Sequence, residues 1–264
     1  MVARAALHHG EEPCLSGDDP DRGSGTVFFG GCTLSCAFCQ NHAISRGAVG
    51  RPVSAERLAA IFRELVEAGA YNINLVSPTP YVPAIRRALA LYRPPVPVVY
   101  NCGGYERVET LRALAGLVDI YLPDFKYADG DLAAALSGAP DYPAVAEAAL
   151  REMVRQTGRL VLDEQGIARR GTLVRHLVLP GHTRHSLRCL DVLATVPDIA
   201  VSLMFQYTPM GDVAGFPALS RRVTQRECDK VWNYLLERGL TDGYVQTRDS
   251  AGTAMIPAFD LTGV

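Results

Sequence analysis

The chain has 264 residues, 26 Lys and Arg against 28 Asp and Glu, a formal net charge of −2 and 48% hydrophobic residues. A balance so close to neutral argues against a protein built around non-specific phosphate contacts, so no nucleic-acid partner is expected. No apolar run approaches the ~18 residues that cross a bilayer, and Met-Val-Ala-Arg lacks the apolar block of a signal peptide, so no membrane partner and a cytoplasmic location are expected.

Residues 1–25, rich in Gly, Asp and Pro and without periodicity, read as an N-terminal loop or a peripheral strand, and residues 26–264 as one domain. Thr26, Val27, Phe28 and Phe29 read as the first strand. Ser54 then suits a helix N-cap, and Leu58, Ile61, Phe62, Leu65 and Val66 recur at i, i+3, i+4, i+7 and i+8 until Gly69 ends the helix. Strand patterns follow at 72–77, 96–102, 119–126, 174–179 and 201–206, alternating with helical stretches near 83–91, 106–115, 143–157 and 183–195. Between 160 and 172, Glu164-Gln165-Gly166 marks a hairpin or irregular insertion. Thr224 and Glu227 have capping-box spacing, and Cys228, Val231, Trp232, Leu235 and Leu236 form an apolar helical face that closes at Gly239. Six βα-like units without a linker predict an α/β fold shaped as a barrel or incomplete barrel with a parallel sheet, whose chemistry sits at the C-terminal ends of the strands.

Seven cysteines is an odd number, and with no sign of export a disulfide framework is not expected. Three of the seven crowd into Cys32-Thr33-Leu34-Ser35-Cys36-Ala37-Phe38-Cys39, at the C-terminal end of the first strand. Structural zinc takes four protein ligands, commonly in two separated pairs, and no such second pair exists; His42 is the nearest alternative fourth ligand. A four-iron cubane held by three thiolates fits better, and it leaves one iron open, which a pure electron carrier would not need.

The C-x₃-C-x₂-C run with Phe38 at the aromatic position resembles the radical S-adenosylmethionine superfamily. Cys39-Gln40-Asn41, Ser77-Pro78-Thr79-Pro80 and Gln206-Tyr207-Thr208-Pro209 narrow the resemblance to the branch that looks like the pyruvate formate-lyase activating enzymes, over about residues 26–260. The resemblance implies a partial (β/α)6 TIM-like barrel, a 4Fe-4S cluster on Cys32, Cys36 and Cys39, and S-adenosylmethionine on the fourth iron. It also implies a flavodoxin- or ferredoxin-type electron donor.

The resemblance assigns further residues to the cofactor beside Phe38. Where the superfamily ends its second strand in Gly-Gly-Glu to hold the methionyl ammonium, this chain offers the hydroxyls of Ser77 and Thr79, which accept hydrogen bonds but bring no carboxylate. In the activating enzymes, carboxylates after the third and fourth strands hold a monovalent cation; here Asn101 replaces the first and Asp124 keeps the second. Asp124 and Lys126 share a strand face, which puts an anion and a cation together at the mouth. Arg175 matches an arginine near the cofactor carboxylate, a role suited to its planar fork. Gln206 ends the sixth strand, where the family's nearby ribose-contacting His is missing. The expected activity is that of an oxidoreductase that cleaves S-adenosylmethionine reductively and abstracts hydrogen from a substrate. A peptide or protein is the expected substrate, as in glycyl-radical enzyme activation, with residues 1–25 and 212–222 shaping a lateral opening. The alternative is an iron-sulfur electron-transfer or redox-sensing protein without that cofactor. Cys102, at a strand end, is expected to be a packed thiol.

Overall fold

Alternation of β-branched and small residues with amphipathic helices produces one curved sheet wrapped by helices. A computed structural model describes residues 1–46, 49–248 and 256–264. In chain order its first elements are β1 (Val2–His8), α1 (Pro13–Ser16), β2 (Gly23–Phe29), α2 (His42–Ser45), α3 (Ala55–Glu67) and β3 (Ala70–Val76). Then come α4 (Val82–Leu91), β4 (Val98–Cys102), α5 (Val108–Arg112), β5 (Ile120–Pro123), α6 (Gly130–Ser137) and α7 (Tyr142–Thr157). The chain continues with β6 (Val161–Leu162), β7 (Ala168–Leu177), α8 (Thr183–Leu193), β8 (Ala200–Met204), α9 (Gln225–Glu237) and β9 (Gly243–Gln246).

The sheet order is β1-β2-β3-β4-β5-β7-β8-β9, with β6 attached to β7. Every pair from β2 to β9 along this path is parallel, whereas β1–β2 and β6–β7 are antiparallel. The sheet does not close on itself, so the barrel is partial. Successive side chains point to opposite faces. One set, including Ile73, Leu75, Val98 and Val27, packs under α3 and α4. Tyr100 and Tyr121 pack beside Leu111, Ala149 and Met153, and Val174, Val201 and Leu203 beside α8 and α9. The opposite set, Val99, Ile120, Leu122, Leu173 and Ala200, faces the concave side.

The concave side is filled by the chain's own N-terminal segment. Cys14 and Leu15 of α1 belong to the same buried cluster as those inward residues, and the Asn72 amide donates to the Leu15 carbonyl at 2.8 Å. The buried part of residues 1–25 is therefore not free to shape a lateral opening, the role the sequence suggested for the whole segment. Val2, Ala3 and Ala5 are buried in β1, and Glu12, Cys14, Leu15 and Ser16 are buried at α1, while Pro13 and residues 18–21 are exposed. The C-terminal residues cover the outer edge of β1 through Leu261 N–H to Ala3 O (3.1 Å) and Ala5 N–H to Thr262 O (2.8 Å), which removes one exposed sheet edge.

The expected hairpin is β6–β7, and the capping box forms at Thr224 and Glu227. Besides the short helices α1 and α2, two elements were not anticipated. Helix α6 is capped by the Asp129 side chain on the Leu132 N–H (3.0 Å) and stopped by left-handed Gly138, but its Ala-rich stretch lacks a clear apolar period. Strand β9 adds a seventh parallel strand after the six expected. Among the described residues no helix is long and apolar enough to cross a membrane.

Candidate functional site

The three clustered cysteines lie on the loop that leaves β2 at the C-terminal end of the sheet. That loop is tied on all sides: the Tyr81 hydroxyl donates to Gly30 O (2.6 Å), Gly31 N–H to Ile44 O (2.8 Å), and Ala37 N–H to Leu136 O at the end of α6 (2.8 Å). Each sulfur has a donor or hydroxyl beside it. Leu34 N–H points at Cys32 Sγ (3.5 Å), the Ser137 hydroxyl donates to Cys36 Sγ (2.9 Å), and Ser45 Oγ lies 3.4 Å from Cys39 Sγ. Burial pushes the Cys32 and Cys36 thiols up, and the Lys126 ammonium pulls both back towards the thiolate.

Among the described residues no three His, Cys, Asp or Glu side chains converge as they would around a single ion. A cubane places each thiolate on a different iron, so its sulfurs stand wider apart than the ligands of one ion. Three thiols, each beside a polar group that can steady negative charge, suit that cluster. His42 is exposed, with its Nδ1 3.2 Å from Cys39 O rather than turned to the sulfurs. All seven cysteines are free, and Cys14, Cys102, Cys189 and Cys228 are buried. Cys102 packs with Tyr100, Leu111 and Tyr121 on the outer face of β4, so it is a core thiol.

Opposite the cysteines, the ends of β4, β5 and β7 bring Asn101, Asp124, Lys126 and Arg175 together. Arg175 Nε donates to Asp124 Oδ1 (2.9 Å) and Nη2 to Asn101 Oδ1 (2.7 Å). Lys126 Nζ donates to Asp124 Oδ2 (2.5 Å). Burial alone would raise the Asp124 carboxyl, but Arg175 and Lys126 hold it below its usual range, and Asp124 in turn keeps Lys126 charged. Phe38, Asp124, Lys126, Leu177 and Leu179 line a small cavity between this set and the cysteine loop.

The monovalent cation that the resemblance implied does not fit these residues. Both Asp124 oxygens and the Asn101 carbonyl oxygen already face a guanidinium or an ammonium, so an added cation would meet two like charges.

At the end of β3, Ser77 has a left-handed φ of 56°, a conformation that costs a residue with a side chain more than it costs glycine. Its N–H donates to Asn101 O (2.9 Å), which joins this turn to β4. The Thr79 hydroxyl donates to Glu106 Oε1 (2.5 Å), and the Tyr100 hydroxyl to Oε2 (3.2 Å). Burial pushes Glu106 up to about 7, with the Thr79 and Tyr100 bonds opposing. Thr79 has therefore committed its hydrogen, while its lone pairs can still accept. Gln206 stands apart from the charged set, beyond β8, and donates from Nε2 to Gln246 Oε1.

Sequence reasoning missed Glu11, Glu12, Glu106, Ser137 and Gln246. The Glu11 carboxylate lies within reach of Arg175 Nη1 (3.4 Å) and Asn101 Nδ2 (3.3 Å). Gln246 Nε2 donates to Glu12 Oε1 (2.7 Å). The one available signal for Glu106 was its place in the strand-end run Tyr100–Glu106; two acids in a Gly- and Asp-rich segment carry no signal of burial.

Residues 26–190 match the Radical SAM superfamily. Over 235 residues the chain is 31% identical to the uncharacterized protein MJ0674 of Methanocaldococcus jannaschii, which covers 85% of this chain and 63% of that protein. It thus spans less than two thirds of that relative. Streptococcus suis SuiB bound to precursor peptide SuiA aligns with a TM-score of 0.56 at 14% identity, over 83% of this chain and 47% of SuiB. SuiB bound to S-adenosylmethionine gives 0.56 at 13% identity, over 84% and 52%. At such identity the likeness is one of fold.

Proposed function

The chain belongs to the radical SAM superfamily, and from that premise we propose that Cys32, Cys36 and Cys39 hold a 4Fe-4S cluster whose open iron takes S-adenosylmethionine. The observation that carries the reading is the facing arrangement of a three-thiol loop and the buried Asp124, Lys126 and Arg175 set, with Phe38 lining the cavity between them. Cluster and cofactor, when bound, supply a one-electron reductive cleavage of the sulfonium and a 5'-deoxyadenosyl radical that takes hydrogen from a substrate.

The chain's own residues bind, orient and exclude water. Arg175 has five N–H donors, and Asp124, Asn101 and Glu11 engage three of its nitrogens with one bond each. Two N–H groups therefore remain for the cofactor carboxylate. Ser77 and Thr79 offer lone pairs to the ammonium. Leu177, Leu179 and Phe38 supply an apolar wall that keeps water from a reactive centre. Ser137 and the Leu34 N–H steady two of the thiolates.

As the source of hydrogen we assign a peptide or protein partner, in the manner of the activating enzymes that install a glycyl radical. The resemblance to that branch supports this, as does a sheet that ends at β1 and β9 without closing. SuiB, whose fold the chain shares, is found with a precursor peptide. The electron is assigned to a flavodoxin- or ferredoxin-type donor.

Anaerobic reconstitution followed by iron analysis tests the cluster. Wild-type protein is expected to hold about four irons, and Cys32→Ala, Cys36→Ala and Cys39→Ala are each expected to lose it. Cys14→Ala, Cys189→Ala and Cys228→Ala should retain it, and loss of iron in any of these three would overturn the ligand assignment. For the partner, incubation with deuterated candidate proteins should carry deuterium into 5'-deoxyadenosine. Deuterium arriving only from a small metabolite would refute the protein substrate and leave the cluster reading standing.

A further inference from the structure

The hairpin of β6 and β7 presents a sheet edge that the chain does not cover. Among the described residues β6 pairs with β7 alone, whereas the outer edge of β1 is closed by the C-terminal residues. Asp163 N–H donates to Ile167 O, and Val161 stands opposite Arg170, so residues 161 and 163 turn their main-chain groups towards β7. By alternation Leu160 and Leu162 turn theirs outward. The same edge exposes apolar side chains, Val161 by 53% and Leu162 by 42%. A register shift marks a bulge between β6 and β7, but residues 160–162 bring neither the charge nor the proline that commonly closes an edge.

The run Arg159-Leu160-Val161-Leu162-Asp163 is complementary to itself when reversed. Laid antiparallel on a second copy about a two-fold axis at Val161, it sets Leu160 opposite Leu162, Val161 opposite its own counterpart, and Arg159 opposite Asp163 at both ends. The facing leucines are the residues whose main-chain groups point outward, so they exchange hydrogen bonds while Val161 takes the closer non-hydrogen-bonded position. Moving the axis to Leu162 would face Val161 with Asp163 and Leu160 with Glu164, which loses both matches and singles out one register. Arg159 lies at the bend before β6, and its side chain is 67% exposed with one bond, to Asp242, which leaves most of its donors free. Contact between the same patch on both chains is isologous and closes at two copies. We propose that this edge is the interface of a reversible homodimer in which β6 pairs with β6 of a second copy of this chain. The hairpin joins the start of β7 and the cysteine loop lies at the opposite end of the sheet, so dimerisation leaves both cysteine loops open to a partner. The proposal does not depend on the cofactor reading.

The test is sedimentation velocity of the reconstituted protein from low micromolar to a few hundred micromolar. Wild type is expected to move reversibly from one chain to two, because a contact of this length belongs with weak, exchanging ones. Val161→Lys sets two ammonium groups face to face on the axis, and Arg159→Glu sets a carboxylate opposite Asp163 at both ends. Each is expected to raise the dissociation constant about tenfold, with iron content and unfolding midpoint unchanged because both positions are exposed. Register is read by cross-linking under anaerobic diamide. Val161→Cys meets its own counterpart at disulfide distance and should link two chains, whereas Leu162→Cys is out of line with its counterpart and should not. Wild type supplies the blank, since its thiols outside the cysteine loop are buried. A wild type that stays a single chain throughout would overturn the proposal, and so would a dimer that both charge variants leave intact. Linkage through Leu162→Cys but not Val161→Cys would overturn the register and the proposal with it. If the charge variants fail to fold, the cross-linking pair decides, and absence of a Val161→Cys link overturns the proposal.

Discussion

Two residues at the strand ends, Arg175 and Glu106, each lead to a measurable consequence. Arg175 spans Asp124 and Asn101 and so already supplies positive charge where a monovalent cation would bind. Affinity for S-adenosylmethionine is therefore expected to agree within about twofold in potassium, sodium and choline buffers. A strong gain in potassium alone would show that Arg175 yields its place. Glu106 is the second residue. Burial raises it from 4.5 to about 7, so the folded protein keeps a proton that the unfolded chain gives up. The associated stability is present below pH 4.5 and is lost as pH rises through 7, on the order of 3 kcal/mol in all. Urea unfolding of wild type at pH 5 and pH 8 should show that loss, and Glu106→Gln should flatten it. An equal slope in the variant would place the titration elsewhere.

At the scale of elements, the cysteine loop depends on neighbours that are remote in sequence. Gly211 has a φ of 71°, and a Cβ there would overlap the Ala37 carbonyl oxygen and approach Cys39 N at 3.4 Å. Gly211→Ala is expected to reduce iron loading although no ligand changes. Gly116→Ala should not, because Gly116 has a similar φ of 76° but open space around it. Equal iron in both variants would show that the loop tolerates the shift. The N-terminal plug makes a parallel case: Leu15 is fully buried, and Leu15→Ala should cost about 2–5 kcal/mol in chemical unfolding. The βα units and the cysteine loop were legible because both depend on spacing within short windows. The apolar face of α3 repeats within thirteen residues, and the three thiols within eight. Glu12 and Gln246 are 234 residues apart, and Glu11 and Arg175 are 164 apart. No local period reports that a polar segment enters a barrel. Strand β9 escaped notice for another reason: its four residues alternate between exposed and half-buried, so its apolar signal is weak.

The whole molecule is a partial barrel with its interior filled from the N-terminal end and its reactive groups gathered at the strand ends. That arrangement lets seven parallel strands hold the charged set and the cysteine loop in fixed relation, because each residue is anchored by sheet registry on one side and by a helix or turn on the other. The central claim is that these groups jointly cleave S-adenosylmethionine, and the most direct test follows 5'-deoxyadenosine. The reconstituted protein, reduced anaerobically with the cofactor present, is expected to release 5'-deoxyadenosine and methionine in equal amounts, and Cys36→Ala is expected to release neither. A brown, iron-loaded wild type that releases none, with or without candidate partner proteins, would contradict the account and favour an electron-transfer or redox-sensing role.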